Sequence, residues 1–404
     1  MIVVGLHHLF DFKGYRIRKA AFSPAGTQIF LVPDKRFILR CPHCRSTWLR
    51  RNRNVKQTAL DLPACSSKLV KIHYEAIQVF CIRCQQYRTV LPPGIDPHAK
   101  ATRRLIVFAS RLTRRLPINQ VTEFVPVSPV TIYRWDKAIL QKTLPEPDLD
   151  NLKYILVDEK AVGKGQKAYV TIVLNAESGE LLSMTRGKSK ESLQQFTDLL
   201  NDRQAGNIKA VGLDRSGAYY RVVLEDLPKA EVVYDKFHIV KNFNAVIDEV
   251  RRTETNKADK EGKTFIKGQR FNLFRRPENR TEEQAAELEQ LLAANKPLFQ
   301  VHLLSEQLTV FWDYTYAAWA ERYLSDWCNW AKETALQPVV RFAKGLWESR
   351  AGLLSYFRHR ITSGKIESFN ATVQRVKQRC CGIRDLDYLW LKLRQESVGC
   401  HQQT

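Results

Sequence analysis

The chain has 404 residues, 44% of them hydrophobic, which is enough for two or three domains with real cores and excludes a disordered tail or a minimal binding module. Its 64 Lys and Arg against 42 Asp and Glu give a net charge of +22, a field that favours phosphate backbones or anionic surfaces and says nothing about fold. Residues 1–150 hold 25 basic and 10 acidic side chains, so the excess is localised, as a binding module for nucleic acid would have it. No apolar run approaches the roughly 18 residues of a membrane span, and Met1 to His8 lacks a charged leader and cleavage site; a soluble, cytoplasmic protein with no membrane partner is expected.

Residues 1–94 read as short strands carrying two Cys-x-x-Cys pairs, Cys41/Cys44 and Cys81/Cys84, with 36 residues between the pairs. Four thiolates make a closed tetrahedral site, so the spacing predicts a zinc ribbon whose intervening strands form a hairpin and whose metal is structural. His43, Cys65 and His73 are weaker substitutes, and Cys328, Cys380, Cys381 and Cys400 read as incidental thiols.

Leu91-Pro92-Pro93-Gly94 ends this block, and residues 95–144 read as a helix-turn-helix. A short helix near Pro117 to Val125 is broken at Pro126-Val127-Ser128, where Ser128 caps a second helix with Pro129 at its first position. That helix would offer Thr131, Tyr133, Arg134 and Lys137 to a major groove, while Ile132 and Trp135 pack inward. Arg103, Arg104, Arg111, Arg114 and Arg115 would neutralise phosphates.

A Pro- and acid-rich linker, 145–152, leads into residues 153–240. Strands at Tyr154 to Val157, Ala168 to Asn175 and Leu181 to Thr185 are followed by helix (Ser189 to Leu200), strand (Ile208 to Leu213), helix (Tyr219 to Leu224) and strand (Glu231 to Tyr234). Three antiparallel strands followed by alternating helix and strand is the RNase H-like order. Residues 241–355 read as an all-helical insertion, too long for a loop, whose Trp312, Trp319, Trp327 and Trp330 suit packing better than base stacking. Residues 356–404 return as the closing helical part of the core, which makes the whole a multidomain α/β protein.

Asp158 and Asp214 each follow an apolar run, and Glu367 stands at the start of a basic helix in Ser363-Gly364-Lys365-Ile366-Glu367-Ser368-Phe369-Asn370. If the two strands are neighbours, their tips lie about 5 Å apart, where two carboxylates repel unless a cation sits between them. Two Mg²⁺ (or Mn²⁺) ions held there would suit in-line phosphoryl transfer. Asp235 also ends a strand and competes with Asp214, although it also suits a helix cap; Glu159 reads as structural and His238 as a packed residue. Lys164, Arg186, Lys188, Lys190, Arg215 and Lys365 flank these segments as further phosphate contacts or plain surface charge.

The ordered set (the cysteine pairs, the helix-turn-helix, Asp158-Glu159, Gly163-Lys164-Gly165, Leu213-Asp214-Arg215-Ser216, Tyr234 to His238 and Ser363 to Asn370) resembles a bacterial DDE transposase of the ISL-three insertion-sequence family over nearly the full length. The resemblance implies an RNase H-like catalytic domain with Asp158, Asp214 and Glu367 as its metal-binding triad, and recognition of terminal inverted repeats by the N-terminal module. It further implies strand cleavage and transfer to target DNA by a dimer or higher multimer, in a nucleoid-associated bacterial protein. Arg375 falls one residue later than the helper base expected of that pattern. The rival expectations are a non-catalytic DNA-binding regulator and a nuclease that cuts without joining.

Overall fold

The structure, a computed structural model, describes residues 12–64, 69–163, 169–215, 217–275, 277–380 and 385–399. Cys65, Lys164, Gly165, Ser216, Cys381 and Cys400 lie outside them, with the amino-terminal residues. Two compact units form: Met1–Pro145 with Gln374–Gln395, and Glu146–Val373 with Glu396–Thr404.

The first unit begins with one sheet of β1 (Tyr15–Ser23), β2 (Gly26–Pro33), β3 (Leu49–Asp61), β4 (Val70–Cys81), β5 (Gln86–Val90), β6 (Ile95–Asp96) and β7 (Ala101–Thr102). Alternating side chains of β2 and β4, among them Ile29, Leu31, Ile72 and Tyr74, bury its apolar face. β3 and β4 run antiparallel from Leu49↔Cys81 to Asp61↔Val70, so a hairpin does separate the two cysteine pairs. The expected helix does not start at residue 95, because β7 joins the sheet through Leu60↔Ala101. Buried Asp61 fixes this junction, accepting from Thr102 Oγ1 at 2.6 Å and Arg104 Nε at 2.7 Å. Helices α1 (Arg103–Thr113), α2 (Ile118–Val121) and α3 (Pro129–Thr143) follow, with Ser128 as the cap and Pro129 at the first position of α3. Leu105, Ala109, Val121, Val125, Ile132 and Trp135 form their shared core.

The second unit is built on β8 (Tyr154–Ala161), β9 (Tyr169–Asn175), β10 (Leu181–Arg186), β11 (Ala210–Leu213) and β12 (Glu231–Tyr234), in the order β10-β9-β8-β11-β12. The first three strands pair antiparallel, and β11 runs parallel to both β8 and β12. Helices α4 (Lys190–Thr197), α5 (Asp202–Asn207) and α6 (Gly217–Asp226) make the connections. β11, parallel to both its neighbours, is fully buried, as a central strand covered on both faces requires. Gly212 is a packing glycine: a Cβ there would meet Leu156 Cδ2 at 2.6 Å.

Eight helices follow: α7 (Lys236–Lys257), α8 (Lys260–Gly268), α9 (Arg270–Phe274), α10 (Glu282–Ala294), α11 (Lys296–Val310), α12 (Ala317–Glu333), α13 (Gln337–Glu348) and α14 (Arg350–His359). They make residues 241–355 largely helical, and they share the buried core of the sheet without forming a separate one. α7 crosses the expected boundary unbroken, and Ile155, Val211, Phe243, Ile247, Leu304, Trp327 and Leu353 belong to one buried cluster. Trp312 and Trp327 are core residues, Trp327 Nε1 donating to Leu304 O at 3.0 Å, whereas Trp319 is exposed.

α15 (Gly364–Arg379) and α16 (Leu386–Gly399) end the chain. Residues 356–404 do not act as a single closing part of the core, since Gln374–Gln395 belong to the first unit. The physical reason is a buried polar network on Asp136, which accepts from Ser110 Oγ at 2.6 Å, Tyr388 Oη at 2.6 Å and Lys392 Nζ at 3.2 Å. Asp136 and Lys392 are both wholly buried, an ion pair that holds α16 against α3. No described helix is long and apolar enough to cross a membrane.

Candidate functional site

The registers of the parallel strands line up three aspartates. Gly212 pairs with Leu156, and Leu213 with Tyr234. Carried forward, the same offsets put Asp214 level with Asp158 on one side and Asp235 on the other, about 4.8 Å per strand and all on one face. These three line one pocket with His238, Gly212, Leu213, Ile361, Thr362, Ser363 and Ile366. Asp158 is not at a strand tip as expected. β8 continues to Ala161 against β9, while its pairing with β11 ends at Leu156, so Asp158 sits where one neighbour has stopped.

The aspartates differ in how their oxygens are used. Asp158 accepts the Glu159 amide at 2.8 Å through Oδ1 and Asn370 Nδ2 at 2.6 Å through Oδ2. Asp235 accepts the Phe237 amide at 3.1 Å, capping α7, and its other oxygen takes His238 Nδ1 at 2.7 Å. Asp214 accepts the Arg215 amide at 2.6 Å through Oδ1, and among the described residues no donor reaches Oδ2. His238 is therefore part of the pocket and not merely packed. Its hydrogen bond to Asp235 raises its pKa, with further help from the charges of Asp214 and Asp158, against the opposing effect of burial.

Glu159 faces the other side of the sheet, level with Thr171 and near Tyr219. Burial raises its pKa, and Asp158 and Asp214 add to the rise while Lys188 and Tyr219 resist it. Glu367 is exposed in the first turn of α15, where Ser363 Oγ donates to its Oε1 at 2.5 Å; it does not line the pocket, although Ser363 and Ile366 do. Among the described residues, the carboxylates do not form a three-ligand group of metal-binding dimensions. Arg375 is exposed and belongs to the first unit. Of the basic residues flanking the carboxylates, Arg215 is used internally, donating to Gly345 O at 2.6 Å, and Lys190 pairs with Glu225 at 2.5 Å.

The cysteines do form such a group: Cys41, Cys44, Cys81 and Cys84 have their Sγ atoms within 4.8 Å of one another. Cys41 and Cys84 stand 3.9 Å apart, and Cys44 and Cys81 3.6 Å. A tetrahedron with metal–sulfur bonds of about 2.3 Å has edges of about 3.8 Å, so the donor set fits a tetrahedral thiophilic cation. Each knuckle turns through a left-handed residue directly after its second cysteine, Arg45 (φ 61°) and Gln85 (φ 53°), a conformation that costs free energy without glycine. The thiols ionise unequally. Burial resists ionisation of Cys41, but amide donation from Cys44 and His43 outweighs it and brings the group down to about 6. Hydrogen bonding to Cys44 and burial push Cys84 up to about 12, a conflict that a shared cation would remove. His43 Nδ1 lies 3.6 Å from Cys84 Sγ. His73 is no substitute ligand, since it stacks on Phe30 and pairs with Gln28 at 3.1 Å.

Helices α1 to α3 present fewer exposed groups than expected. Arg103, Arg111, Arg115 and Arg134 are exposed, but Arg104 is committed to Asp61, and Arg114 is half-buried. Tyr133 donates to Asp385, and Lys137 Nζ pairs with the same carboxylate at 2.5 Å, so both serve to hold α16. Thr131 is half-buried, its hydroxyl 2.9 Å from Ser128 Oγ. Asp61, Asp136 and Asp385 had no signal in the sequence beyond being lone acids in basic or apolar surroundings.

The second unit is thus a mixed α/β sheet with three aspartates level on one face, in a strongly basic chain. Residues 155–393 match the profile of the ISL3 DDE family, described as Transposase. The chain is 30% identical over 400 residues to the transposase for insertion sequence element IS1001 of Bordetella parapertussis, covering 98% of both. It is 26% identical over 277 residues to the transposase for insertion sequence element IS1557 of Mycobacterium tuberculosis, covering 63% of this chain and 62% of that one. The chain belongs to the ISL3 family of DDE transposases.

Proposed function

We propose that the protein binds the terminal inverted repeats of an insertion sequence, hydrolyses a phosphodiester to free a 3′-hydroxyl and transfers that end to target DNA. The observation that carries the reading is the shared register of Asp158 and Asp214 on one face of the sheet, in a chain of this family. The strand order and directions support an RNase H-like core, and the capped α3 beside α2 supports a helix-turn-helix. The fit of the four cysteines supports structural Zn²⁺.

Asp158 and Asp214, with Glu367 from the first turn of α15, would hold two Mg²⁺ or Mn²⁺ ions. Bound there, the ions would supply Lewis acidity and a nucleophile deprotonated near neutral pH. The chain's own residues do the positioning: Asn370 orients the Asp158 carboxylate, and Asp235 holds the His238 imidazole at the pocket wall. Asp214 is preferred to Asp235 as a ligand because both oxygens of Asp235 already serve a helix cap and His238. Of the residues of α1 to α3 expected to meet DNA, Arg103, Arg111, Arg115 and Arg134 are exposed and would reach its phosphates and bases. Joining two ends requires at least a dimer on DNA, in the bacterial cytoplasm.

The test is incubation with labelled element-end duplex, target plasmid and Mg²⁺. Asp158→Ala, Asp214→Ala and Glu367→Ala are expected to lose cleavage and joining by at least about a thousandfold while keeping end binding, the scale of removing a charge-stabilising group at a phosphoryl-transfer centre. Loss in Asp235→Ala but not in Asp214→Ala would overturn the ligand assignment. Binding with no metal-dependent cleavage would point to a regulator, and cleavage with no joined product to a nuclease.

A further inference from the structure

We infer that the helical part of the second unit carries its own docking site for the phosphodiester backbone of duplex DNA, centred on Arg252 and Arg270. Asp248 on α7 is 4% exposed and gathers three guanidinium groups. Arg251 reaches its Oδ1 at 2.9 Å, Arg252 its Oδ2 at 2.5 Å, and Arg270 Nε its Oδ1 at 3.1 Å. One carboxylate cannot neutralise three cations, so the cluster holds a surplus of two positive charges before Lys267 is added. Arg251, Arg252, Thr255, Asn256, Lys267 and Arg270 line one open depression, and no acidic group is among them. Arg251 is nearly buried, whereas the side chains of Arg252 and Arg270 are 69% and 49% exposed and keep donors facing solvent. Guanidinium groups held in place by a buried acid are pre-organised for phosphate oxygens, because the side-chain entropy has already been lost in folding.

The position favours a DNA duplex over a small anion. α7 is continuous from Lys236 to Lys257 and carries His238, which lines the aspartate pocket. Arg252 lies fourteen residues beyond His238, roughly 40° short of four full turns, so the two share a face about 21 Å apart at 1.5 Å per residue. At 3.4 Å per phosphate step along a strand, a duplex lying on that face would meet the arginines about six base pairs from the aspartates. This inference rests on DNA being the substrate, not on cleavage.

The experiment is a fluorescence-anisotropy titration of the full-length chain with a labelled mixed-sequence duplex, repeated as KCl rises from about 50 to 200 mM. Arg252→Ala/Arg270→Ala should flatten the slope of log K against log salt by about two, while Arg252→Lys/Arg270→Lys restores it. The affinity gap between wild type and the alanine variant should accordingly shrink about tenfold across that salt range. Arg251 stays on Asp248 in both variants, and unchanged melting curves would verify the fold. An unchanged slope overturns the proposal. Stabilisation of the wild type by inorganic phosphate, lost in the alanine variant with the DNA slope unchanged, would overturn it in favour of a small-anion site. Because the readout is binding, a chain that bound DNA without cutting would sink the proposed reaction and leave this site standing.

Discussion

Asn370 is the side chain that connects the late glutamate helix to the first aspartate, through its 2.6 Å bond to Asp158 Oδ2. Such supporting bonds hold a carboxylate in its metal-binding orientation, and their loss typically weakens metal binding ten- to a hundredfold. Asn370→Ala is expected to raise the Mg²⁺ concentration needed for half-maximal cleavage by about tenfold or more, read from a metal titration on the end duplex. An unchanged requirement would reduce Asn370 to packing. His238 adds a pH dependence whose sign follows from its raised pKa. Its contribution to stability is complete below the ordinary value of about 6.5 and is lost as pH rises through the higher folded value. In Mg²⁺-free buffer, His238→Gln should therefore melt below wild type at pH 6, and the gap should close as the pH rises past that folded value. Asp158 and Asp214 stood out in the sequence because each follows an apolar run, although β8 continues past Asp158 to Ala161 instead of ending on it. The role of Asp235 was not, since a cap and a ligand look alike until the strand register and the His238 contact are known.

At the scale of elements, the four cysteines connect the loop before β3 with the turn between β4 and β5. Two left-handed residues and unequal thiol ionisation are conditions that a bound cation stabilises and its removal exposes. Cys44→Ser should abolish stoichiometric zinc by elemental analysis and lower the melting temperature of the first unit, as should a strong chelator acting on wild type. Zinc-free protein that melted unchanged would argue against a structural metal. The hairpin between the pairs was legible because Cys-x-x-Cys spacing has a geometric reason. The helix start was not: Ile95–Asp96 and Ala101–Thr102 became short strands before α1, at a junction where buried Asp61 captures Thr102 and Arg104, a contact across more than forty residues.

For the whole molecule, the carboxy-terminal helix belongs by its packing to the amino-terminal unit. Asp136→Ala would leave the Lys392 ammonium wholly buried without its carboxylate, and removing one partner of such a pair costs about 3–5 kcal/mol. That loss should appear in denaturant unfolding of the first unit. The double variant Asp136→Ala/Lys392→Met should recover part of it; equal instability of single and double variants would show that the pair is not what holds α16.

The class of protein, the clustering of the four cysteines and the cap of α3 were legible in the sequence alone, because motif order, spacing and capping chemistry are local and carry their own physical reasons. Tertiary structure decided which lone acids were spoken for. Asp136 and Asp385 draw Tyr388, Lys392, Tyr133 and Lys137 into a fold-holding network, so two residues expected to touch DNA instead anchor a helix about 250 positions away. Strand register likewise set Asp214 between Asp158 and Asp235, and α7 carried the pocket wall onward to the arginines around Asp248. Burial and long-range hydrogen bonding are properties of position in space, and composition and periodicity do not encode them.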